Sequence, residues 1–170
     1  VGKYTIAMND WLDFLGIFLA DGNVRNYVKN GNRQYYFLSI AQSKSYPKNI
    51  EKIRCILNKM PFHYWEYEQK QVVCGKQYNN LIIFKITDKG LWQYFIEETG
   101  VGRDKKVPDF VATLSTQQIQ RFLDSFFMGD GFERRGSEKQ YFAGLSKKLA
   151  DQIQEYVMKV GKIAKVTKDI

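Results

Sequence analysis

Phe14-Leu15-Gly16-Ile17-Phe18-Leu19-Ala20-Asp21-Gly22 is an apolar run closed by Asp-Gly, and much later Leu123-Asp124-Ser125-Phe126-Phe127-Met128-Gly129-Asp130-Gly131 repeats the pattern. Each copy carries two small residues four apart: Gly16 and Ala20 in the first, Ser125 and Gly129 in the second. That interval puts both on one helical face. Two such faces can pack backbone to backbone, because no bulky side chain holds them apart. The pattern predicts a central helix pair with Asp21 and Asp130 side by side at one end, and Gly22 and Gly131 ending the helices at positive φ.

The aspartates sit where helix electrostatics disfavours them. A carboxylate at a helix C-terminus faces the negative end of the macrodipole, at a cost of roughly 0.3–1 kcal/mol. Two held close repel unless a cation lies between them, and hard oxygen ligands of this type suit Mg²⁺. Asp-Gly is a common turn pair, which accounts for a single copy but poorly for two with matching small residues.

The two runs resemble the paired motifs of LAGLIDADG homing endonucleases, in the single-chain, two-motif form. They are most like the intein-encoded (DOD-type) members. Lys105-Lys106-Val107-Pro108 is similar to the Lys-x-Ile-Pro block that precedes the second motif in those members. The resemblance implies an α+β fold with pseudo-two-fold symmetry. Units of αββαββα type would place two antiparallel saddle sheets around the motif helices, lying in the major groove of double-stranded DNA. It implies hydrolysis of phosphodiester bonds, with Mg²⁺ or Mn²⁺ held by Asp21 and Asp130 and by the backbone carbonyls of Gly22 and Gly131. Lys105 would polarise water or stabilise the charged phosphate, with Lys106 as its neighbour and competitor.

Two positions depart from the family pattern: the sixth motif position is Leu19 and Met128, and Asp124 stands inside the second motif helix. The chain shows no N-terminal Cys or Ser and no C-terminal His-Asn, so an intein origin would mean the endonuclease portion only. The competing reading is a DNA- or RNA-binding regulator or maturase on the same fold. Retention of both aspartates argues against it, since binding alone does not require paired carboxylates at helix ends.

The 170 residues suffice for one sizeable core, with 44% of them hydrophobic and 15% aromatic. A net charge of +8 and a pI near 9.4 favour a polyanionic partner. His63 is the only histidine, which excludes a His-based metal cluster and leaves little for Ser-His or Cys-His catalysis. Cys55 and Cys74 show no paired spacing, and the apolar pattern around Cys55 predicts a reduced core thiol. No apolar run approaches the roughly 18 residues of a membrane span, so a soluble intracellular protein without membrane contact is expected.

Along the chain, Asn9 or Asp10 is expected to cap the first motif helix. Strands follow at 23–29 and 33–42, joined around Asn30-Gly31-Asn32. Ser45 is expected to cap a helix with Pro47 near its start and Ile50, Ile53, Ile56 and Leu57 on its apolar face. Residues 62–69, 71–74 and 81–87 read as three strands, with turns at Gly75 and Asn79-Asn80. Asp88 opens a helix closed by Gly100, and Ser115 with Gln118 forms a capping box for the second motif helix.

After Gly131 the order restarts: a hairpin at 132–145, then a helix from Ser146 closed by Gly161. The unit is a repeat, with residues 1–106 as the first copy and 107–170 as a second, truncated one. A monomer is expected, or a dimer if the truncation is real, with weak cleavage that favours nicking. Candidate DNA contacts alternate along the strands: Arg25, Tyr27 and Lys29; Arg33 and Tyr35; Glu66, Glu68 and Lys70; and Arg134, Lys139 and Tyr141.

Overall fold

The computed structural model describes residues 3–29, 33–73, 76–130, 132–133 and 140–167. Helix α1 spans Met8–Asp21 and is apolar nearly all round, with Trp11, Leu12 and Phe14 to Leu19 all buried. A helix of that kind must be enclosed on more than one side. One side meets an aromatic group in which Phe18 packs on Phe95 with ring centroids 4.1 Å apart and Phe14 packs on Phe62 at 5.2 Å. The other side meets helix α4, Thr116–Asp130. Neither Asn9 nor Asp10 caps α1: both lie inside it, Ala7 is the N-cap, and no side chain makes a capping hydrogen bond.

Asp21 passes directly into strand β1, Gly22–Lys29. Gly22 does not take the positive φ expected of a helix-ending glycine; it is extended, at φ −81° and ψ 149°. The glycine answers a different demand. A Cβ there would fall 2.2 Å from the Phe18 carbonyl oxygen and 2.5 Å from the Phe18 ring, so only glycine lets the chain turn from helix into strand this tightly.

Strand β2, Arg33–Ser43, pairs with β1, and helix α2, Pro47–Asn58, follows it. Pro47 sits in the first turn of α2, but Tyr46, not Ser45, is the N-cap. The Ser45 N–H instead donates to Ser43 Oγ. Ile50, Ile53, Ile56 and Leu57 are buried. Cys55 is exposed, not a core thiol, because it lies on the face of α2 away from those four.

Two long strands, β3 at Trp65–Val73 and β4 at Lys76–Ile86, stand where the sequence pattern suggested three. Asn79-Asn80 runs through β4 instead of turning, and the irregularity in pairing falls between Gln69 and Gln71. The Asn pair falls in that irregularity, and the ladder pairs on either side of it, Gln71–Tyr78 and Gln69–Leu81, keep β4 continuous. The four-stranded antiparallel sheet has the order β1-β2-β4-β3.

Helix α3, Lys89–Thr99, starts from Asp88, whose carboxylate accepts from the Leu91 N–H at 2.8 Å, and ends at Gly100 with φ 64°. Ser115 and Gln118 exchange hydrogen bonds at the start of α4: each backbone N–H donates to the other's side chain at 3.3 Å. A short ribbon, β5 at Phe132–Glu133 with β6 at Gln140–Tyr141, precedes α5 at Lys147–Lys159. Ser146 caps α5 and Gly161 follows it with φ 79°. Among the described residues no helix is long and apolar enough to cross a membrane.

Candidate active site at the paired helix ends

Helices α1 and α4 run in parallel and touch along their length. Near their N-termini, Arg121 donates to both oxygens of Asp13, at 2.8 and 2.5 Å, and to the Asn9 carbonyl at 3.1 Å. At mid-length, a Cβ on Gly16 would lie 2.6 Å from the Phe122 carbonyl oxygen, 2.7 Å from Ser125 Cβ and 2.9 Å from the Phe126 nitrogen. At the C-terminal end, a Cβ on Gly129 would lie 2.6 Å from Ala20 Cβ and 2.9 Å from Asp21 Oδ2. At Gly16 the opposing backbone leaves no room for a side chain, and at Gly129 the side chains of Ala20 and Asp21 fill that room. Asp21 therefore lies against the last turn of α4, which ends at Asp130; of Asp130 the backbone alone is described. Asp124 takes no part in this interface. It is exposed and accepts from Gln120 Nε2 at 2.6 Å.

Lys105 reaches the same end. Its Nζ donates to the Leu19 carbonyl at 2.7 Å and to the Gly22 carbonyl at 3.2 Å. Those carbonyls belong to the helix end that lacks intrahelical partners, and a cation there is favoured by the macrodipole. A carbonyl oxygen has two lone pairs, so Gly22 keeps one acceptor position, but an ammonium beside it is a poor neighbour for a second cation. Lys106 is tied elsewhere by its backbone, its N–H donating to the Thr99 carbonyl at 2.7 Å.

Helix α5 holds the Lys105 segment in place. Ser146 Oγ, the cap of α5, donates to the Lys105 carbonyl. Gln152, nearly two turns further into α5, brackets the fully buried Val107: its Oε1 accepts from the Val107 N–H at 2.8 Å and its Nε2 donates to the Val107 carbonyl at 3.1 Å. The α4 end is finished differently, by Asn49 Nδ2 of α2 donating to the Met128 carbonyl at 3.0 Å.

The donor set at this end is carboxylate and carbonyl oxygen. Among the described residues no group of three or more His, Cys, Asp or Glu side chains gathers. That is the composition Mg²⁺ tolerates, being held by one or two carboxylates with waters and substrate phosphates completing its shell.

The sheet carries α1, α2 and α3 on one face, lined by the buried Leu38, Ile40, Ile82, Phe84 and Ile86. The other face is open. Residues directly opposite in antiparallel strands share a face, and the pairs Arg25–Phe37, Tyr27–Tyr35, Ser39–Lys85 and Trp65–Lys85 place all of these on the open side. Glu66 and Glu68 do not belong there. They pair with Phe84 and Ile82 on the helix side. The Arg54 guanidinium hydrogen-bonds Glu66 and holds its carboxyl below the usual range, and Lys44 bonds Glu68 at 2.8 Å.

Lys70 is exposed at the break in register. Lys29, Arg33 and Tyr141 are placed by backbone only, and Gly131, Arg134 and Lys139 lie outside the described residues. Sequence reasoning missed Lys85, Trp65 and Tyr67 on the open face, and Asn49 and Gln152 near the helix ends. The alternation Leu81, Ile83, Lys85 was the available signal for Lys85.

The architecture matches solved structures over nearly the whole chain. I-DmoI in complex with DNA and Mn superposes with a TM-score of 0.66 at 14% identity, covering 96% of this chain and 84% of that one. The homing endonuclease I-WcaI bound to its DNA recognition sequence gives 0.53 at 18% identity, over 91% and 69%. The LAGLIDADG meganuclease I-AabMI bound to uncleaved DNA gives 0.50 at 11%, over 95% and 75%.

The chain has the LAGLIDADG homing endonuclease fold.

At these identities the likeness is one of fold. No family model matches the chain. In sequence, the LAGLIDADG-fold chain is 26% identical over 159 residues to a Chlamydomonas moewusii protein named ATP-dependent Clp protease proteolytic subunit. The match covers 91% of this chain and spans 14% of that protein's length.

Proposed function

We propose that this chain hydrolyses phosphodiester bonds in double-stranded DNA as a homing endonuclease. The observation that carries the reading is the convergence of Asp21, the Asp130 end of α4 and the Lys105 ammonium at one point of a LAGLIDADG fold. The Asp21 carboxylate and the Lys105 ammonium, with a second motif aspartate ending α4, would form a site for a phosphate with a divalent cation.

Asp21 and Asp130 would hold Mg²⁺ or Mn²⁺, with the Gly22 and Gly131 carbonyls as secondary oxygen donors. The cation supplies charge neutralisation at the phosphate and a lowered pKa for attacking water. The protein's own part is placement. The glycine contacts keep the two helix ends together, and Lys105 puts a positive charge beside the phosphate where negative charge grows. The open sheet face, with Arg25, Lys85 and Lys70, would follow the duplex. The +8 charge supports a polyanionic partner.

Residues 1–106 and 107–170 would act as the two units of one pseudo-symmetric monomer. The match to only 14% of a protein named for proteolysis supports an intein-type setting, in which an endonuclease portion is carried inside a longer polypeptide.

The test is cleavage of a supercoiled plasmid library by the 170-residue chain with Mg²⁺, beside Asp21→Asn, Asp130→Asn and Lys105→Met. Site-specific nicks or breaks that vanish in both aspartate variants support the proposal. Tight, metal-independent duplex binding without cleavage by any of the four would replace it with a binding-only regulator.

A further inference from the structure

We infer that the open sheet face reads thymine in the major groove, through the aromatic edges of Tyr27, Tyr35 and Phe37 and the ammonium of Lys85. This deepens the endonuclease reading and rests on it.

The four side chains form one cluster. The Tyr27 and Tyr35 rings are stacked, 5.1 Å apart at an interplanar angle of 10°. Phe37 meets Tyr27 edge-on at 5.8 Å. Lys85 Nζ stands 4.0 Å from the Phe37 centroid and 5.7 Å from that of Tyr27. Trp65 and Tyr67 extend the aromatic surface across β3, 57% and 46% exposed. So much exposed aromatic area on a face of a basic protein marks an interaction surface.

The arrangement favours base edges over stacked bases. Proteins that hold single strands offer open ring faces. Here Tyr27 and Tyr35 cover each other, and Lys85 occupies a face of Phe37. With those faces engaged, the cluster leaves ring edge to a partner, beside an ammonium that can only donate.

One base fits both properties. Thymine presents a C5-methyl group beside the O4 acceptor on its major-groove edge. Guanine has acceptors there but no methyl. Adenine has its N7 acceptor there but no methyl, and cytosine turns only an amino donor toward the groove, which the lysine would repel. Tyr27 follows Asp21 by six positions. At strand rise that is about 20 Å, or about six base-pair steps along a duplex.

The experiment uses the intact 170-residue chain without divalent metal, so that nothing is cut. Bound molecules are selected from a pool of duplexes randomised over their central region. In the best-bound duplex each thymine is then replaced singly by uracil, which removes only the methyl, or by cytosine paired with guanine, which also replaces O4 with a donor.

We expect uracil at one or two positions about six base pairs from the centre of the site to weaken binding roughly fourfold, the worth of one buried methylene. Cytosine at those positions should weaken it further. Lys85→Met, shown folded by its melting curve, should lose the extra cytosine penalty and keep the uracil effect. Unchanged affinity with uracil at every position, duplex binding being intact, overturns this inference alone. Tighter binding of single strands than of duplex also overturns it. Failure to retain any duplex overturns the DNA partner itself. The uracil arm needs no protein variant, so its result does not depend on how Lys85→Met folds.

Discussion

Leu19 and Met128 hold the same position in the two motif helices, yet their carbonyls are bound by chemically different groups: Leu19 by the Lys105 ammonium at 2.7 Å, Met128 by the Asn49 side-chain amide at 3.0 Å. The pseudo-two-fold axis therefore relates two helix ends of unequal charge. Among the described residues, the first carries a full positive charge and the second the dipole of an amide.

The first prediction follows from that inequality. The strand served by the Lys105 side should be cut faster, so nicked plasmid should accumulate before linear product. Lys105→Met should slow the first cut more than the second and bring the two rates together. Time courses resolved by agarose gel measure both rates. Equal rates in the unmutated chain would show that the cation makes no difference between the strands.

Gly129→Ala places a methyl 2.6 Å from Ala20 Cβ and 2.9 Å from the Asp21 carboxylate. Overpacking of this kind should cost about 1–3 kcal/mol in denaturant unfolding. Adding Ala20→Gly should recover part of the loss, because the two sites are coupled through one contact. Additive costs in the double variant would mean that the helices do not meet there.

Gln152→Ala leaves the buried Val107 N–H and carbonyl without their side-chain partner. Stability should fall by about 1–3 kcal/mol, and the segment carrying Lys105 should lose its anchor. Cleavage is expected to fall well beyond any loss in duplex affinity, and Gln152→Glu should restore at most the bond to the Val107 N–H. Parallel loss of affinity and rate would mark Gln152 as purely structural.

Alkaline pH should unfold the protein through its buried tyrosines. Burial, with Glu98 nearby, pushes the Tyr94 hydroxyl up to about 12, and burial, with Glu155 and Asp109, does the same to Tyr156. The unfolded chain loses these protons near 10 while the folded chain keeps them. The stabilising contribution is therefore complete below pH 10 and is lost as pH rises towards 12. Tyr156→Phe should flatten that fall in unfolding midpoints measured from pH 8 to pH 11. A slope unchanged by the substitution would remove Tyr156 from the explanation.

Much of the local structure was legible. The capping box at Ser115 and Gln118, the Asp88 and Ser146 caps, and the glycines after α3 and α5 depend on residues within one helical turn of each other. The caps of α1 and α2 misled, since the helix starts one residue earlier, at Met8, and takes Asn9 and Asp10 into its first turn. Strand boundaries misled for a related reason. Asn79-Asn80 has turn chemistry, but it is taken up as an irregularity within β4, whose pairing with β3 resumes on both sides of it.

By itself the sequence determined the two motif helices, their small faces and the acidic residues that end them. Their apolar period and four-residue spacing are properties of a single helix. Tertiary structure alone decided which groups meet those ends. Lys105, Asn49 and Gln152 arrive from distant segments, and Lys105 is distinguished from Lys106 only by the path of the loop that carries them. The face of each strand was likewise settled by register, which sent Glu66 and Glu68 to the helix side and Lys85 to the open side. Side chains alternate strictly along a strand, so a shift of one residue in pairing exchanges the two faces, and long-range packing sets that pairing.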